Sequence, residues 1–255
     1  MAMDHDGHKI ALVTGAARGI GRAIAQALLR EGYRVVAADR LAAGWAQECS
    51  PSAADRLHAA VLDVTDVAAI RALREDVERR WGPVSILVNN AAISPKQADG
   101  YSAGVLEITP AEWNTVLQVN LTAALVLCQE FLPGMRRQGW GRVINMASLA
   151  GRTRSISAGA SYMASKAGLI GLTRAIAAEM GPSGITANSV APGRIVTEMS
   201  MTAGAAANAK VAEQVPVRRL GQAEEVAAAV VYLSAPQAGF VNGAVIDING
   251  GMYMP

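Results

Sequence analysis

The sequence predicts an α/β fold in which a doubly wound parallel sheet of about seven strands is covered by helices on both faces. Two observations predict it. Short, continuously apolar segments alternate with longer segments along the chain, and continuous apolarity is typical of strands covered on both faces. The longer segments repeat their apolar residues with the spacing of an amphipathic helix. Because no linker or repeat interrupts this alternation, residues 1–255 are expected to form a single domain.

The individual elements follow from these patterns. Strands are expected at the apolar runs, which span residues 10–13, 35–38, 59–62, 86–88, 143–144, 185–190 and 245–248. The first helix follows the first strand, where apolar residues recur at i, i+4, i+7 and i+8; they are Ile20, Ile24, Ala27 and Leu28. Further helices are expected at residues 67–81, 110–137, 161–180 and 223–234.

Two long connections interrupt the alternation of strands and helices. Residues 94–108, after the fourth strand, are rich in small residues and proline, and residues 194–219, after the sixth strand, are low in complexity. Open α/β sheets bind ligands outside the carboxyl ends of their strands, so both connections are expected to be loops that border a substrate site.

The composition is that of a globular protein, with 51% hydrophobic and 17% charged residues. The net charge of +2 and the lack of a long basic run predict neither nucleic-acid nor membrane binding. Residues 1–9 are polar, unlike a signal peptide, and no apolar stretch reaches the roughly 20 residues of a membrane span. We therefore expect a cytoplasmic protein.

Histidine and cysteine are poor candidates for the chemistry of this chain. The three histidines are His5, His8 and His58, so the late histidine of a Ser–Asp–His hydrolase is missing, and neither a GxSxG nor an HExxH pattern occurs. Cys49 and Cys128 are far apart and form no CxxC pair. No metal site is expected.

A glycine-rich turn joins the first strand to the first helix. Its spacing is Gly15-x-x-x-Gly19-x-Gly21. Glycines allow a tight turn and a close approach of the backbone to a ligand, and the N-terminus of the helix favours a pyrophosphate. Asp39 ends the second strand 24 residues after Gly15, where a carboxylate can accept hydrogen bonds from a ribose diol. This context predicts a dinucleotide-binding turn of the Rossmann type.

The chain as a whole resembles the short-chain dehydrogenase/reductase family. The elements that carry the resemblance occur in the family's order; they are residues 14–21 (TGAARGIG), Asp63-Val64, residues 89–92 (NNAA), Asn120, Ser148, Tyr162-x-x-x-Lys166 and Pro192-Gly193. One departure is Ala92, where the family has glycine in its NNAG motif. The resemblance implies an oxidoreductase that transfers a hydride between a nicotinamide cofactor and a secondary alcohol or ketone.

Tyr162 is the expected acid/base and Lys166 the residue that tunes it. Four residues apart on a helix, they share one face. Tyrosine ionises at about pH 10, and a neighbouring ammonium together with an oxidised nicotinamide is expected to lower that pKa. Ser148 is expected to donate a hydrogen bond to the substrate oxygen. The resemblance implies that Asn120 positions a water that relays protons through Lys166.

The resemblance also implies a set of cofactor contacts. They are Gly15, Arg18, Gly19, Ile20, Gly21, Asp39, Arg40, Asp63, Val64, Asn90, Ala91, Tyr162, Lys166, Pro192, Gly193, Ile195 and Thr197. Asp39 favours NAD because its carboxylate would repel a 2′-phosphate. Arg18 and Arg40 favour NADP, since basic residues at these places often accompany NADP in the family. We expect NAD, with NADP as the other possibility.

Two alternatives to this function, the substrate class and the state of assembly remain open at this stage. The chain is expected to be an active oxidoreductase, since all four catalytic positions are filled; the alternatives are a catalytically inactive regulatory relative and a dehydratase or epimerase. The substrate class stays open among a sugar or polyol, a steroid-like alcohol and an acyl thioester. The resemblance and the apolar residues 240–253 predict a homotetramer with the last strand between subunits.

Overall fold

The computed structural model describes residues 9–42, 44–45, 55–97, 100–155, 158–201 and 204–255. Its described residues form a seven-stranded sheet in the order β3-β2-β1-β4-β5-β6-β7, and every neighbouring pair is parallel. The strands are β1 (Ile10–Thr14), β2 (Arg34–Asp39), β3 (Leu57–Val61), β4 (Ile86–Asn89), β5 (Gly141–Met146), β6 (Ile185–Pro192) and β7 (Val245–Ile248). The doubly wound α/β fold expected from the sequence is confirmed. The expectations for residues 1–8 and for Cys49 lie outside the described residues.

Helices connect the strands and cover both faces of the sheet. They are α1 (Gly19–Arg30), α2 (Val67–Arg80), α3 (Pro110–Leu117), α4 (Ala123–Gln138), α5 (Ala160–Met180), α6 (Glu198–Met201), α7 (Ala205–Gln214) and α8 (Ala223–Ser234). One hydrophobic cluster lies between the sheet and α1 and α8, and a second lies between the sheet and α2, α4 and α5. The central strands are therefore covered on both sides, as their continuous apolarity predicts.

The edge strand β3 departs from that pattern. Val61 at its end is 71% exposed, and only the side chains of the inner strands β1, β4, β5 and β6 are buried throughout. A strand at the edge of a sheet has a neighbour on one side only, so its apolar residues are not all covered.

Two predicted segments differ from the observed ones. The helix predicted over residues 110–137 is present as one helical stretch, Pro110–Gln138, but it contains a π-helical turn at Gln118–Thr122 between α3 and α4. The loop predicted over residues 194–219 contains α6 and α7. Residues 205–214 of this low-complexity segment form a helix because they are rich in alanine, which has the highest helix propensity.

One helical stretch within the described ranges is long and apolar enough to cross a membrane by length and composition alone. It is Pro110–Gln138, with a mean hydropathy of 1.4 in its most apolar window. Leu127, Phe131 and Met135 on this stretch are buried in the core cluster that packs against the sheet. The stretch thus packs as a core helix does.

Candidate active site

A large cleft opens at the carboxyl ends of the strands, where the strand order reverses between β1 and β4. Its volume is about 1680 Å³. This exceeds the roughly 300–1,000 Å³ of a pocket for one small molecule, so the cleft has room for a dinucleotide and a second ligand. An open α/β sheet binds its ligands at such a switch point. Every residue expected to contact the cofactor lines this cleft, and Ala92 lines it as well.

The glycine-rich turn forms one end of the cleft, and its glycines are required by their surroundings. Gly15 has φ +65°, a left-handed conformation, and a Cβ atom on Gly21 would overlap the carbonyl oxygen of Gly15. The side chain of Asn90 fixes the turn by donating to the carbonyl oxygens of Thr14 and Gly15 at 2.9 and 3.0 Å. Asn90 therefore acts on the turn itself, which sequence reasoning did not foresee.

The turn fits the phosphates of a dinucleotide. Helix α1 begins at Gly19, and its N-cap residue Arg18 makes no side-chain capping bond. The first turn of α1 contains no acidic residue. The N–H groups at the start of a helix need acceptors, and uncapped ones favour an anion such as a pyrophosphate. Gly19 and Ile20, at this end of α1, both line the cleft.

Asp39 at the end of β2 is held in a fixed position. Its Oδ2 accepts a hydrogen bond from the N–H of Ala17 at 2.9 Å, and its Oδ1 accepts one from the N–H of Leu41 at 3.0 Å. Each carboxylate oxygen keeps a lone pair for a further donor. The carboxylate is thus placed beside the glycine-rich turn, where it fits the hydroxyls of an adenosine ribose.

The two arginines expected to oppose Asp39 differ in their surroundings. Arg18 donates from Nη1 to Glu198 Oε2 at 3.0 Å, so the glycine-rich turn is bridged to α6 across the cleft. Arg40 is exposed, and its charge contributes to lowering the pKa of Asp63. The larger cause of that lowering is the pair of hydrogen bonds that Asp63 accepts from Thr65. Sequence reasoning missed the pairing of Arg18 with Glu198.

Ser148, Tyr162 and Lys166 lie together on the cleft wall, as expected. Ser148 follows β5, while Tyr162 and Lys166 lie on α5. The side chain of Ser148 is hydrogen-bonded to Tyr162, and its oxygen also accepts from the N–H of Ala150 at 3.1 Å. Lys166 is buried and donates from Nζ to the carbonyl oxygen of Met146 at 2.6 Å.

The surroundings of Tyr162 act on its pKa in two directions. Burial raises the pKa of Tyr162, and the hydrogen bond with Ser148 offsets only part of that increase. The ammonium of Lys166 lies 5.6 Å from the centre of the tyrosine ring and is bonded to the carbonyl oxygen of Met146. Among the chain's own residues, desolvation is therefore the larger influence, and the lowering expected from the ammonium together with an oxidised nicotinamide stays a prediction. Burial also lowers the pKa of Lys166, to about 8.

Asn120 is the one expected catalytic residue that does not line the cleft. It lies in the π-helical turn and is buried. Its Oδ1 accepts from the N–H of Ile93 at 2.8 Å, and its Nδ2 donates to the carbonyl oxygen of Ile93 at 2.9 Å and to Ser165 Oγ at 3.1 Å. The side chain thus fixes the chain after β4, and the expected role of Asn120 in a proton relay stays a prediction.

The segment after β6 completes the cleft. Pro192, Gly193, Ile195 and Thr197 all line it. A Cβ atom on Gly193 would lie 3.0 Å from the Cβ of Asn249, a tight contact that favours glycine there. Arg194 in the same segment also lines the cleft, although no pattern in the sequence distinguishes it. No group of three or more potential metal ligands occurs among the described residues.

The fold and this site define a class of protein, an oxidoreductase that binds a nicotinamide dinucleotide on a parallel α/β sheet. Comparison with known proteins gives the family. A family model described as enoyl-(acyl carrier protein) reductase matches residues 15–253. The chain belongs to the short-chain dehydrogenase/reductase family. It is an NAD(P)-dependent oxidoreductase that transfers a hydride between the cofactor and a secondary alcohol or ketone, and nothing in the described residues favours the inactive alternative.

The relatives match over nearly their whole lengths. Nodulation protein G of Azospirillum brasilense is 39% identical over 249 residues, which cover 96% of this chain and 98% of that protein. The 3-oxoacyl-[acyl-carrier-protein] reductase FabG of Escherichia coli is 39% identical over 246 residues, with 96% and 98% coverage.

Two solved reductase structures from Brucella melitensis have the same fold. A 3-oxoacyl-[acyl-carrier protein] reductase has a TM-score of 0.89 and 39% identity, covering 97% of this chain and 92% of that one. A second such reductase, solved with bound NAD, has a TM-score of 0.85 and 37% identity, covering 99% and 93%.

Proposed function

We propose that the protein is an NAD-preferring reductase of 3-oxoacyl thioesters in which Tyr162 gives a proton to the substrate oxygen. The observation that carries the proposal is the grouping of Ser148, Tyr162 and Lys166 on one wall of the cleft. The substrate class is supported by the relatives, since several that match over almost their whole length are named 3-oxoacyl-[acyl-carrier-protein] reductases. The cleft volume of about 1680 Å³ leaves room for an acyl chain beside a dinucleotide.

The chain's own residues have distinct roles in this reaction. The bound nicotinamide supplies or accepts the hydride. Ser148 donates a hydrogen bond to the substrate oxygen, where negative charge develops. Tyr162, whose pKa is raised by burial, holds the proton that it transfers to that oxygen. Lys166, with a pKa of about 8, can hold or release a proton near neutral pH and resupply the tyrosine.

The preference for NAD is supported by the surroundings of Asp39. Its carboxylate is fixed by two backbone N–H groups, so it cannot turn away from a 2′-phosphate. Arg18, which could have compensated that repulsion, is paired with Glu198. Arg40 is exposed and can swing into solvent, whereas Asp39 is fixed, so a dinucleotide with a free 2′-hydroxyl is favoured.

The proposed reaction is tested with NADH and a panel of carbonyl compounds, followed by the absorbance of reduced nicotinamide. The panel contains acetoacetyl-CoA, a ketosugar and a ketosteroid. We expect acetoacetyl-CoA to be reduced with the highest kcat/KM. Tyr162→Phe should lower kcat by about 10²- to 10⁴-fold, the usual loss of general acid catalysis, and leave NADH binding unchanged.

The matched control is Tyr232→Phe, because Tyr232 lies on α8 and is 49% exposed. It should retain the wild-type kcat. Near-wild-type turnover of Tyr162→Phe, or reduction of the sugar or steroid without reduction of the thioester, would contradict the proposal.

The assembly expected from the sequence also becomes a proposal, a homotetramer with β7 and the C-terminal tail between subunits. Among the described residues, strand β7 pairs only with β6, so its outer edge presents unpaired backbone groups. Phe240 and Met254 nearby in sequence are 104% and 74% exposed. Light scattering should give four times the chain mass of 26.5 kDa, and a monomer mass would refute the proposal. A single domain over residues 1–255 and a cytoplasmic location stay predictions.

A further inference from the structure

Arg194 is a cation in the active-site cleft that no carboxylate in the described residues neutralises. It follows Gly193 after β6, lines the cleft and is partly buried. Its Nε and Nη2 donate to Asn208 Oδ1 at 3.2 and 3.1 Å, and Nη2 also donates to the carbonyl oxygen of Ser200 at 3.1 Å. Both acceptors are neutral. Within the described part of the chain, no Asp or Glu oxygen comes within 4.0 Å of this guanidinium.

A network of hydrogen bonds among neighbouring residues holds the guanidinium of Arg194 in place. Asn208 is 7% exposed and also donates to the carbonyl oxygen of Ser200 at 3.0 Å. Ser200 is fixed in turn by reciprocal hydrogen bonds with Thr197, at 2.9 and 3.2 Å. With Nε and Nη2 engaged, Nη1 of Arg194 is the nitrogen that can donate to a ligand.

A fixed and partly buried cation without an ionic partner is unfavourable. It loses hydration on burial, and neutral acceptors return only part of that loss. Burial lowers the pKa of Arg194, as expected of a charge that is desolvated without compensation. An anionic ligand in the cleft would remove this penalty.

Arg194 lies in the half of the cleft that contains the reacting groups. The chain segments after β4, β5 and β6 are neighbours, because these strands are adjacent in the sheet. Ser148 follows β5, and Arg194 follows β6. Lys96 follows β4, lines the same cleft, and is near enough for Arg194 to contribute to lowering its pKa. Asp39 is the last residue of β2, on the other side of the switch point. Lys96 and Arg194 thus lie on the two sides of Ser148, away from the end of the cleft where Asp39 is expected to bind the adenosine ribose.

We propose that Arg194 binds an anionic group on the substrate, a carboxylate or a phosphate, and so selects ketones that carry one over neutral ketones. This inference rests on the proposed function and narrows its substrate. A free oxo acid carries a carboxylate, and a thioester on a phosphopantetheine arm carries a phosphate. Both supply the anionic oxygen that an arginine N–H prefers.

Binding to the complex with NAD⁺ tests the proposal without turnover, because an oxidised cofactor cannot reduce a ketone. Calorimetry measures two pairs of probes, 3-oxobutanoate against its methyl ester and acetoacetyl-CoA against the N-acetylcysteamine thioester. We expect the wild type to bind at least one anionic probe about tenfold or more tightly than its neutral partner, as for a hydrogen bond to a charged group. The pair whose preference is lost in Arg194→Met identifies the carboxylate or the phosphate.

Arg194→Met should weaken the preferred anionic probe by about 10- to 100-fold and leave its neutral partner unchanged. Arg194→Lys should restore part of the loss. The control is Arg174→Met, which removes the same charge from the exposed surface of α5. The proposal is overturned if the wild type prefers neither anionic probe, or if Arg194→Met weakens neutral probes or NAD⁺ equally, as a purely structural or cofactor-binding arginine would. Reduction of neutral ketones with NADH, abolished by Tyr162→Phe, tests the proposed function independently of Arg194.

Discussion

Removing the carboxylate of Asp39 is expected to reverse the cofactor preference. Two like charges about 4 Å apart repel by about 4 kcal/mol at an effective dielectric of about 20. Asp39 is partly exposed, so water and salt screen the repulsion, and we expect Asp39→Ala to tighten NADPH binding by about 10- to 100-fold. The same variant loses hydrogen bonds from the ribose hydroxyls to a charged group, which should weaken NADH binding by about 10- to 100-fold.

The assay is the change in nicotinamide fluorescence on binding, titrated for NADH and NADPH with each variant, together with kcat/KM for both cofactors on one ketone. Thermal melting shows whether Asp39→Ala stays folded, because the N–H groups of Ala17 and Leu41 lose their acceptors. Glu179→Ala removes an acid from the exposed surface of α5 and serves as the control. A wild-type preference for NADP that Asp39→Ala leaves unchanged would refute the reasoning and assign the choice to the arginines.

Three further predictions concern the same cleft. Glu198→Gln should release Arg18 and tighten NADPH binding about two- to fivefold, with little effect on NADH binding, because an exposed ion pair is weak. Equal changes in the affinities for both cofactors would contradict this prediction. Gly21→Ala should displace the carbonyl of Gly15 and weaken NADH binding at least about tenfold by the same titration, whereas unchanged affinity would show that the turn tolerates a methyl group. Burial lowers the pKa of Lys166 from 10.5 to about 8, so the folded state holds this proton less tightly than the unfolded state. The buried charge therefore lowers the free energy of unfolding by its full amount below pH 8, and this loss disappears as the pH rises to 10.5. Lys166→Met should therefore exceed the wild type in unfolding free energy by up to about 3 kcal/mol at pH 7 and by less at pH 10, which urea titrations at the two pH values measure.

The structure confirms the parts of the sequence analysis that rest on local patterns. The order and type of the strands follow from apolar runs, because strands covered on both faces must be apolar throughout. Gly15 and Gly21 could be recognised because a tight turn beside a helix needs residues without a Cβ atom. Tyr162 and Lys166 could be placed on one face because their spacing is that of one helical turn.

Only the tertiary structure decided which partners those residues meet. Arg18 pairs with Glu198, which is 180 residues away in the sequence, and no local pattern encodes such a contact. The ammonium of Lys166 bonds to the carbonyl of Met146 on β5, a contact that helical spacing does not reveal, and burial raises the pKa of Tyr162. Desolvation and long-range hydrogen bonds depend on how the elements pack against one another, and the sequence does not state that packing. The same holds for the cation Arg194, whose lack of a carboxylate partner among the described residues appears only once the segments around it are folded together.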